Sequence, residues 1–267
     1  MLARALETWW AELGSPDPFT VVEGGAGRGA LRAAILKTCR APLRYVAVER
    51  SAALRSEEAV GDLPAEPFVG VVLANELLDN LPFGMLERTA EGWAEVRVNE
   101  TLREVLVPAD GPSIDAEVGA RIPVQQAART WVETALDLVG AGRVVVFDYA
   151  DTTASMARRP WTEWVRTYRG HGRGGHPLAD LGSQDVTCEV AVDQLPPPTS
   201  DRSQAEFLRA HGLDELVDEA RHAWKERAHI GDLQAVMARS RVNEAAALTD
   251  PAGLGAFRVL EWVRTGR

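Results

Sequence analysis

In TVVEGGAGRGALRAAIL, residues 20–36, an apolar run breaks into a glycine-rich turn and then resumes with helical spacing. The apolar run predicts a strand, and the resumed pattern predicts a helix. Gly25, Gly27 and Gly29 allow a tight turn, a close approach of the backbone to a ligand, and close packing of helix on strand. The stretch therefore predicts a strand–turn–helix unit that binds a ligand at the turn.

The alternation of strand and helix continues along the chain. Residues 43–49, 68–75 and 143–149 are apolar runs that predict buried strands, and helical spacing separates them. A last strand is predicted over residues 257–263. Strands that alternate with helices are typical of a mostly parallel sheet. We therefore expect an α/β fold in which residues 1–267 form a single domain.

Two segments interrupt this alternation. Residues 84–110 contain short alternating runs joined by turns, which predict an inserted β-meander. Residues 151–183 are rich in Gly, Arg and His, and a loop of this length in a compact domain usually serves a function or is disordered. We expect the second segment to be a lid or a substrate loop.

Two local predictions depend on single residues. Ser51 is expected to cap a short helix over residues 51–59. Gly140 and Gly142 are expected to end a helix over residues 124–139.

Composition limits the class of protein. The chain has 267 residues, 46% of them hydrophobic, and a net charge of −10, which argues against non-specific nucleic-acid binding and mildly favours cationic partners.

The two cysteines, Cys39 and Cys188, form no C-x-x-C pair, so we expect no metal site and a reducing compartment. No apolar run has the length of a membrane span, and residues 1–14 lack the features of a signal peptide. We expect a cytoplasmic protein without a membrane or nucleic-acid partner, and the eight tryptophans leave room for a homodimer.

An acid lies where a nucleoside cofactor would need one. Glu49 ends the second predicted strand, where a carboxylate commonly binds both ribose hydroxyls. Gly25, Gly27 and Ala30 also satisfy the relaxed dinucleotide fingerprint, which keeps a nicotinamide-dependent dehydrogenase open. The tighter G-x-G-x-G spacing is more usual for S-adenosylmethionine, whose ammonium group Glu23 could hold. Both cofactors remain open at this point.

Polar residues follow the third predicted strand. Asn75, Glu76 and Asp79 stand just beyond its carboxyl end, the edge at which ligands bind in open α/β sheets. The alternative is that Asn75 caps a short helix whose acids face solvent.

Six segments, taken in order, carry a resemblance to a known family. The segments are VVEGGAGRGAL, YVAVERS, ANELLDNLPF, GRVVVFDYA, TYRGH…HPL…GSQDVTCEV and SQAEFLRAHGL. In them the chain resembles the MidA family of class I S-adenosylmethionine-dependent methyltransferases, relatives of a mitochondrial complex I assembly factor, and the resemblance runs from about Leu6 to Val263. The third and fifth segments are far more specific than the glycine turn, which many methyltransferases share.

The resemblance implies a seven-stranded, mostly parallel sheet with helices on both faces and a last antiparallel strand. It implies S-adenosylmethionine as the cofactor, and it places Asn75 and Glu76 at the junction of cofactor and acceptor. The cofactor-binding residues that it implies are Glu23, Gly25, Gly27, Gly29, Glu49, Asp62 and Asn75.

The methyl acceptor is left open between two chemical classes. A protein arginine would need carboxylates that bind its guanidinium group bidentately, for which Glu76 and Asp79 are candidates. Asp148 could be a third, or it could cap its own strand. A small molecule with an oxygen or nitrogen nucleophile would need a base such as His171. A non-catalytic assembly factor that keeps the fold is the remaining alternative.

The resemblance has one departure. Family members usually carry a further N-terminal segment, with a D-F-x-T-S-P-E-like stretch, before the first cofactor strand. This chain reaches its glycine turn by Gly25 without such a stretch. A more open site, a different substrate and a start codon assigned too late are the three interpretations.

Overall fold

A computed structural model describes residues 1–170 and 172–266, and the contacts among them divide the chain into two units. The first unit contains Met1–Asn75, Ala135–Phe147 and the chain from Pro198 onward. The second unit contains Glu76–Thr134 and Asp148–Pro197.

The α-helices and strands alternate over the first four elements only, and three consecutive helices precede the last strand. The helices are α1 (Leu2–Glu12), α2 (Ala30–Thr38), α3 (Gln126–Leu138), α4 (Thr153–Met156), α5 (Trp161–Trp164), α6 (Gln204–Ala210), α7 (Leu213–Arg227) and α8 (Leu233–Leu248). The strands are β1 (Phe19–Gly24), β2 (Leu43–Val48), β3 (Phe68–Asn75), β4 (Gly84–Arg88), β5 (Trp93–Val98), β6 (Glu104–Ala109), β7 (Arg121–Val124), β8 (Val139–Asp148), β9 (Ala150–Asp151), β10 (Val165–Arg169), β11 (Gly172–Arg173), β12 (Asp185–Cys188), β13 (Val190–Ala191), β14 (Ser200–Ser203) and β15 (Arg258–Arg264). Short 3₁₀ helices cover Leu78–Asn80, Val192–Gln194 and Leu254–Ala256.

The first unit is built on a six-stranded mixed sheet with the order β14-β15-β8-β3-β1-β2. The pairs β1–β2, β1–β3 and β3–β8 are parallel, whereas β14 and β15 are antiparallel. The parallel strands bring their carboxyl ends to one edge, where Gly24 pairs with Val48 and Asn75 pairs with Phe147. This is the edge at which ligands bind in open α/β sheets.

The expectation of seven strands is not met in the described part of the chain. Beyond β2 the structure has an isolated parallel bridge between Val48 and Val60 rather than a further strand. Gly61 follows Val60 directly, and Pro64 lies three residues further on. Glycine weakens a strand and proline cannot donate to its ladder, so pairing stops after one residue.

One face of this sheet holds the main core of the first unit. Phe19 and Val21 of β1 pack with Leu6 and Trp9 of α1 and with Phe207 of α6. Full burial of each such side chain stabilises the fold by about 1.5–3 kcal/mol. The amphipathic pattern of α1 therefore serves to close this face of the sheet.

The region after β2 contains turns and not the short helix predicted over residues 51–59. The backbone N–H of Ser51 donates to the Glu49 carboxylate at 2.8 Å, and the N–H groups of Leu54 and Arg55 donate to the Ser51 carbonyl in a turn that does not continue as a helix. The Arg55 guanidinium donates to the carbonyl oxygens of Glu49 and Arg50 at 2.7 and 2.9 Å. These bonds fold the segment back on the end of β2 in place of a helical ladder.

The helix predicted over residues 124–139 is α3, which ends at Leu138 just before the glycines, but Gly140 and Gly142 lie inside β8 and not in a turn. Gly142 pairs with Gly70 of β3, and a Cβ atom built on Gly142 would stand 1.8 Å from the Gly70 carbonyl oxygen. A Cβ atom on Gly70 would stand 1.9 Å from the carbonyl oxygen of Thr20 on β1. The three central strands thus approach each other at positions where a side chain has no room.

The second unit is made of smaller sheets. Strands β6-β5-β4-β7 form a four-stranded antiparallel sheet in that order, in which β4, β5 and β6 are consecutive along the chain. Strands β11-β10-β12 form a second antiparallel sheet, and β9 pairs with β13 in parallel. The segment 151–183 therefore contains α4, α5, β10 and β11, and not a long loop without secondary structure. Its function as a lid stays a prediction.

None of the described helices is both long and apolar enough to cross a lipid bilayer.

We expect Gly142→Ala to lower the free energy of unfolding by about 2–4 kcal/mol, because the methyl group overlaps the backbone of β3 and φ is +136°. Gly140→Ala is the matched control on the same strand, since its Cβ atom would stand 3.5 Å from the nearest described atom, the Phe68 carbonyl oxygen. Urea denaturation of both variants measures the difference. Equal stability of the two variants would contradict the close approach of β3 and β8.

Candidate functional site

The turn after β1 has the backbone conformation that only glycine adopts readily. Gly25, Gly27 and Gly29 have φ values of +69°, +52° and +80°, all in the left-handed region. A Cβ atom on Gly27 or Gly29 would meet no described atom within 4 Å. The glycines are therefore required by conformation, and the space beside two of them is open to a ligand.

Glu49 joins this turn to the end of β2. One of its carboxylate oxygens accepts a hydrogen bond from the backbone N–H of Gly27, and the other accepts one from Ser51, both at 2.8 Å. The Ala26 N–H donates to the Val48 carbonyl at 3.0 Å, which adds a backbone contact between the same segments. The structure thus brings together the glycine turn and the acid that the sequence predicts to bind a ribose.

Glu23 lies one residue before the end of β1 and is 4% exposed. The Tyr45 hydroxyl on β2 donates to its carboxylate at 2.8 Å. Burial raises the pKa of Glu23, and the Tyr45 hydrogen bond and the charge of Arg32 oppose that rise. Burial also raises the pKa of Tyr45, helped by the neighbouring Glu23 charge. Tyr45 therefore stays a hydrogen-bond donor to Glu23.

Asp62 stands apart from this arrangement. Its side chain is 83% exposed and pairs with Arg50 at 3.3 Å. An ion pair this exposed contributes little to stability. The predicted role of Asp62 in binding the cofactor stays a prediction.

Asn75 and Glu76 stand at the end of β3, and both are exposed. Glu76 has φ of +49°, which is rare for a residue with a long side chain. The Asn80 side-chain amide donates to the Glu76 carbonyl at 3.2 Å. Backbone conformations of this kind cost of order 1–3 kcal/mol and concentrate at functional sites. The strain makes Glu76 a stronger candidate than its sequence position alone does.

Asp148 binds backbone N–H groups of the second unit. Its carboxylate accepts hydrogen bonds from the N–H groups of Leu78, Asp79 and Tyr149 at 3.0, 3.3 and 3.1 Å, and the residue is 1% exposed. The first two donors belong to the 3₁₀ helix Leu78–Asn80, which this carboxylate caps. The alternative left open above was a cap on its own strand, and only the Tyr149 N–H, directly after β8, corresponds to that.

Asp79 is also buried, with 2% exposure. The Tyr149 hydroxyl donates to its carboxylate at 2.5 Å, and the Asn80 amide donates at 2.8 Å. The Tyr149 oxygen lies 2.7 Å from the Thr187 hydroxyl. Direct binding of a substrate guanidinium by Asp79 stays a prediction, and the burial of its carboxylate argues against such contact.

The two buried carboxyl groups share a tendency to hold a proton. Burial raises the pKa of Asp148 well above its ordinary value, and the charge of Asp79 raises it further. Burial also raises the pKa of Asp79, which the hydrogen bonds from Tyr149 and Asn80 partly offset. Two nearby carboxylates cannot both ionise at low cost in a buried site. The pair therefore favours a state with fewer than two negative charges.

Sequence reasoning missed Tyr45, Tyr149 and Thr187 as partners of the candidate acids. Tyr45 could have been found, because it lies two residues before Ala47, which pairs with Glu23. Side chains two residues apart share a face of a sheet. Thr187 gives no such signal, since its contact with Tyr149 joins β12 to a residue 38 positions earlier that lies between β8 and β9.

The remaining candidate, His171, lies in the segment 151–183, which also contains several arginines. His171 is outside the described residues, so its predicted role as a base stays a prediction. Arg166 stands over the Tyr149 ring and Arg173 over the Tyr168 ring, at 5.1 and 5.3 Å from the centroids. Arg169 pairs with Asp180 at 2.8 Å. Over residues 1–170 and 172–266, no group of three or more His, Cys, Asp or Glu residues has the arrangement of a metal site.

Residues 1–210 match a sequence family described as "Putative S-adenosyl-L-methionine-dependent methyltransferase". A comparison with curated proteins finds no match.

Two crystal structures from Burkholderia thailandensis are similar to the chain over 98% of its length. One is described as a "likely methyl transferase" bound to S-adenosyl-homocysteine, with 25% identity, a TM-score of 0.77 and 75% of that chain covered. The other is a native structure of a protein described as uncharacterized, with 24% identity, a TM-score of 0.75 and 78% of that chain covered. The first supports the cofactor class, and the second supports the fold.

We expect the stability of the chain to depend on pH through Asp79 and Asp148. Because their pKa values are raised in the folded state, the folded chain binds more protons than the unfolded chain above about pH 4, and stability falls as pH rises through the raised values. Asp79→Asn removes one titrating group and the charge beside the other. The variant should therefore lose less stability than the native chain between about pH 5 and pH 8.

Urea denaturation at both pH values measures this difference. Asp115→Asn, a change at an exposed acid of the same unit, is the matched control and should follow the native chain. An unchanged pH dependence in Asp79→Asn would contradict the raised pKa values.

Proposed function

The chain belongs to the family of S-adenosyl-L-methionine-dependent methyltransferases, and on that premise we propose that it methylates the guanidinium group of an arginine in a protein. The observation that carries the proposal is Glu76, an exposed carboxylate held in a left-handed backbone conformation directly after the central strand β3. A guanidinium group is a planar array of donors that a carboxylate binds bidentately.

The residues at the carboxyl edge of the sheet fit the cofactor. The open space beside Gly27 and Gly29 would admit the ligand close to the backbone. Glu49 would bind the ribose hydroxyls, because a carboxylate that accepts two N–H donors has lone pairs left for two further ones. The buried carboxylate of Glu23 would hold the ammonium of the methionine moiety, directly or through water. Gly25, Asn75 and Asp62 complete the proposed binding set.

S-adenosyl-L-methionine supplies a methyl group on a positively charged sulfur. Displacement from such a centre is in line, so the protein's contribution is mainly to position the nucleophile. We propose that Glu76 binds the acceptor guanidinium and fixes which of its nitrogens is nucleophilic. A new N–C bond forms as the S–C bond breaks, and the proton that leaves the nitrogen passes to Glu76 or to water.

Asp79 has a supporting role in this proposal. The chain of contacts from Thr187 through Tyr149 to Asp79 holds the segment that follows Glu76. Asn80 connects that chain to the Glu76 backbone, since its amide donates both to the Asp79 carboxylate and to the Glu76 carbonyl. Asp79 is therefore a positioning residue that acts through Asn80 and not a substrate ligand.

Incubation of the protein with methyl-labelled cofactor and cell extract tests the function directly. The proposal expects a labelled protein whose acid hydrolysate contains methylated arginine. A labelled small molecule would favour the alternative with a histidine base, and the absence of label from a chain that binds the cofactor would favour a non-catalytic assembly factor.

For the cofactor, we expect Glu49→Ala to weaken binding of S-adenosyl-homocysteine by about 1.5–3 kcal/mol, the cost of losing hydrogen bonds to a charged group. Isothermal titration calorimetry measures the affinity. Glu57→Ala, at an exposed acid of the segment that follows, is the control and should leave the affinity unchanged. An unchanged affinity in Glu49→Ala would place the ribose elsewhere.

For the acceptor, we expect Glu76→Gln to lower the initial rate of label incorporation by about 100-fold or more, because a neutral amide no longer stabilises the guanidinium in the transition state. Binding of S-adenosyl-homocysteine should be unaffected. Glu100→Gln, an exposed acid in the turn between β5 and β6, serves as the control. A variant that labels protein at the native rate would remove Glu76 from the chemistry.

A further inference from the structure

The second unit contains a pocket of about 500 Å³ that the proposed chemistry does not use. This is within the range of pockets that bind small ligands or anchoring side chains. The wall is mainly apolar, and its apolar side chains include Met85, Leu86, Ala109, Ile114, Ile122 and Pro123.

A buried tryptophan fixes one wall of the pocket. The indole N–H of Trp93 donates to the Pro112 carbonyl at 3.0 Å and so holds the segment that follows β6 against the sheet. A Cβ atom on Gly111 would stand 2.3 Å from the Trp93 ring, so only glycine lets the backbone pass this close. The wall is therefore set by packing within the unit and does not need a ligand to form.

The opposite wall ends in polar groups whose donors are already used. The Gln194 side-chain amide donates to the Pro123 carbonyl at 2.8 Å and to the Thr153 hydroxyl at 3.0 Å. The Thr153 hydroxyl and N–H donate to one carboxylate oxygen of Asp193, at 3.1 and 2.7 Å. What these side chains still offer to the pocket is the accepting capacity of the Asp193 carboxylate.

The charges that line the pocket have one sign. Its lining includes the acids Glu95, Asp110 and Asp193, and no described lining residue is Lys, Arg or His. Glu95 is partly neutralised by Arg97 at 2.7 Å. Asp110 is exposed, and its carboxylate has no hydrogen bond or ion pair with a described residue. A ligand that fits this pocket therefore needs an apolar part together with hydrogen-bond donors and a positive charge.

We propose that this pocket binds a segment of the methyl acceptor in which an apolar side chain stands next to a basic one. The apolar side chain would fill the space against Met85 and Ile122, and the basic side chain would reach Asp110 and Asp193. The proposal rests on the proposed function in one respect, namely that the acceptor is a protein with a cationic segment. It adds a docking site that selects the acceptor and lies outside the residues assigned to methyl transfer.

Two tetrapeptides, acetylated and amidated, test the pocket in the absence of cofactor. One has the sequence glycine–leucine–arginine–glycine, and the other carries glutamate in place of arginine. Titration calorimetry should show saturable binding of the basic peptide, and at least about tenfold weaker binding of the acidic one. Equal affinities, or the absence of saturable binding of the basic peptide, would overturn the proposal.

Variants of the chain locate the binding. The double variant Asp110→Asn/Asp193→Asn removes both charges and keeps a hydrogen-bond acceptor for Thr153. Its affinity for the basic peptide should be lower by about fivefold or more. The double variant Glu100→Gln/Glu117→Gln changes the net charge equally at exposed positions outside the pocket and should bind as the native chain does. Equal weakening in both variants would show a general charge effect and would overturn the site.

The two proposals fail in different ways. Loss of peptide binding in a chain that still methylates arginine overturns the docking site alone. Binding of the basic peptide by a chain that methylates no protein supports the pocket and overturns the proposed function. Ile114→Trp, which fills the pocket from its half-buried wall, should abolish binding at an unchanged melting temperature, and unaltered binding there would also overturn the docking site.

Discussion

The rest of the proposed cofactor site depends on the two hydrogen bonds that the Glu49 carboxylate accepts from the backbone. It accepts N–H groups from the turn after β1 and from the segment after β2. The two strands are parallel neighbours, so their carboxyl ends meet at one edge and a single side chain can reach both. Bonds from N–H groups to an ionised acceptor are stronger than neutral ones. The left-handed turn is therefore held from the next strand as well as by its own glycines.

Burial divides the acids around residue 76 into two groups. Asp79 and Asp148 are nearly inaccessible, and their raised pKa values reflect the cost of holding charge away from water. Glu76 is exposed and keeps its contact with water. The buried pair fixes the 3₁₀ helix Leu78–Asn80, whereas the exposed acid can meet a cation. One short segment thus contains both a rigid buried support and an exposed carboxylate.

The sequence predicts the parts of this molecule that local pattern determines. The strand–turn–helix unit and the position of Glu49 follow from apolar runs and glycine spacing. The rest depends on contacts that the pattern does not contain. The segment after Ser51 forms turns in which the Arg55 side chain binds the carbonyls of Glu49 and Arg50, and Gly142 lies in a strand where β3 leaves room only for glycine. The burial of Asp79 depends on Tyr149, which is 70 residues away in sequence.

The charges of the second unit decide which kind of acceptor it could select. Arg166 and Arg173 stand over aromatic rings and Arg169 pairs with an acid, so these cations are engaged within the unit. Asp110 and Asp193 leave accepting oxygens toward an apolar pocket. An anionic acceptor would have to displace the first set and would be repelled by the second. A cationic, donor-rich segment meets neither obstacle, and the guanidinium group proposed to bind Glu76 has the same chemistry. Electrostatic complementarity of this kind selects partners more than it adds affinity.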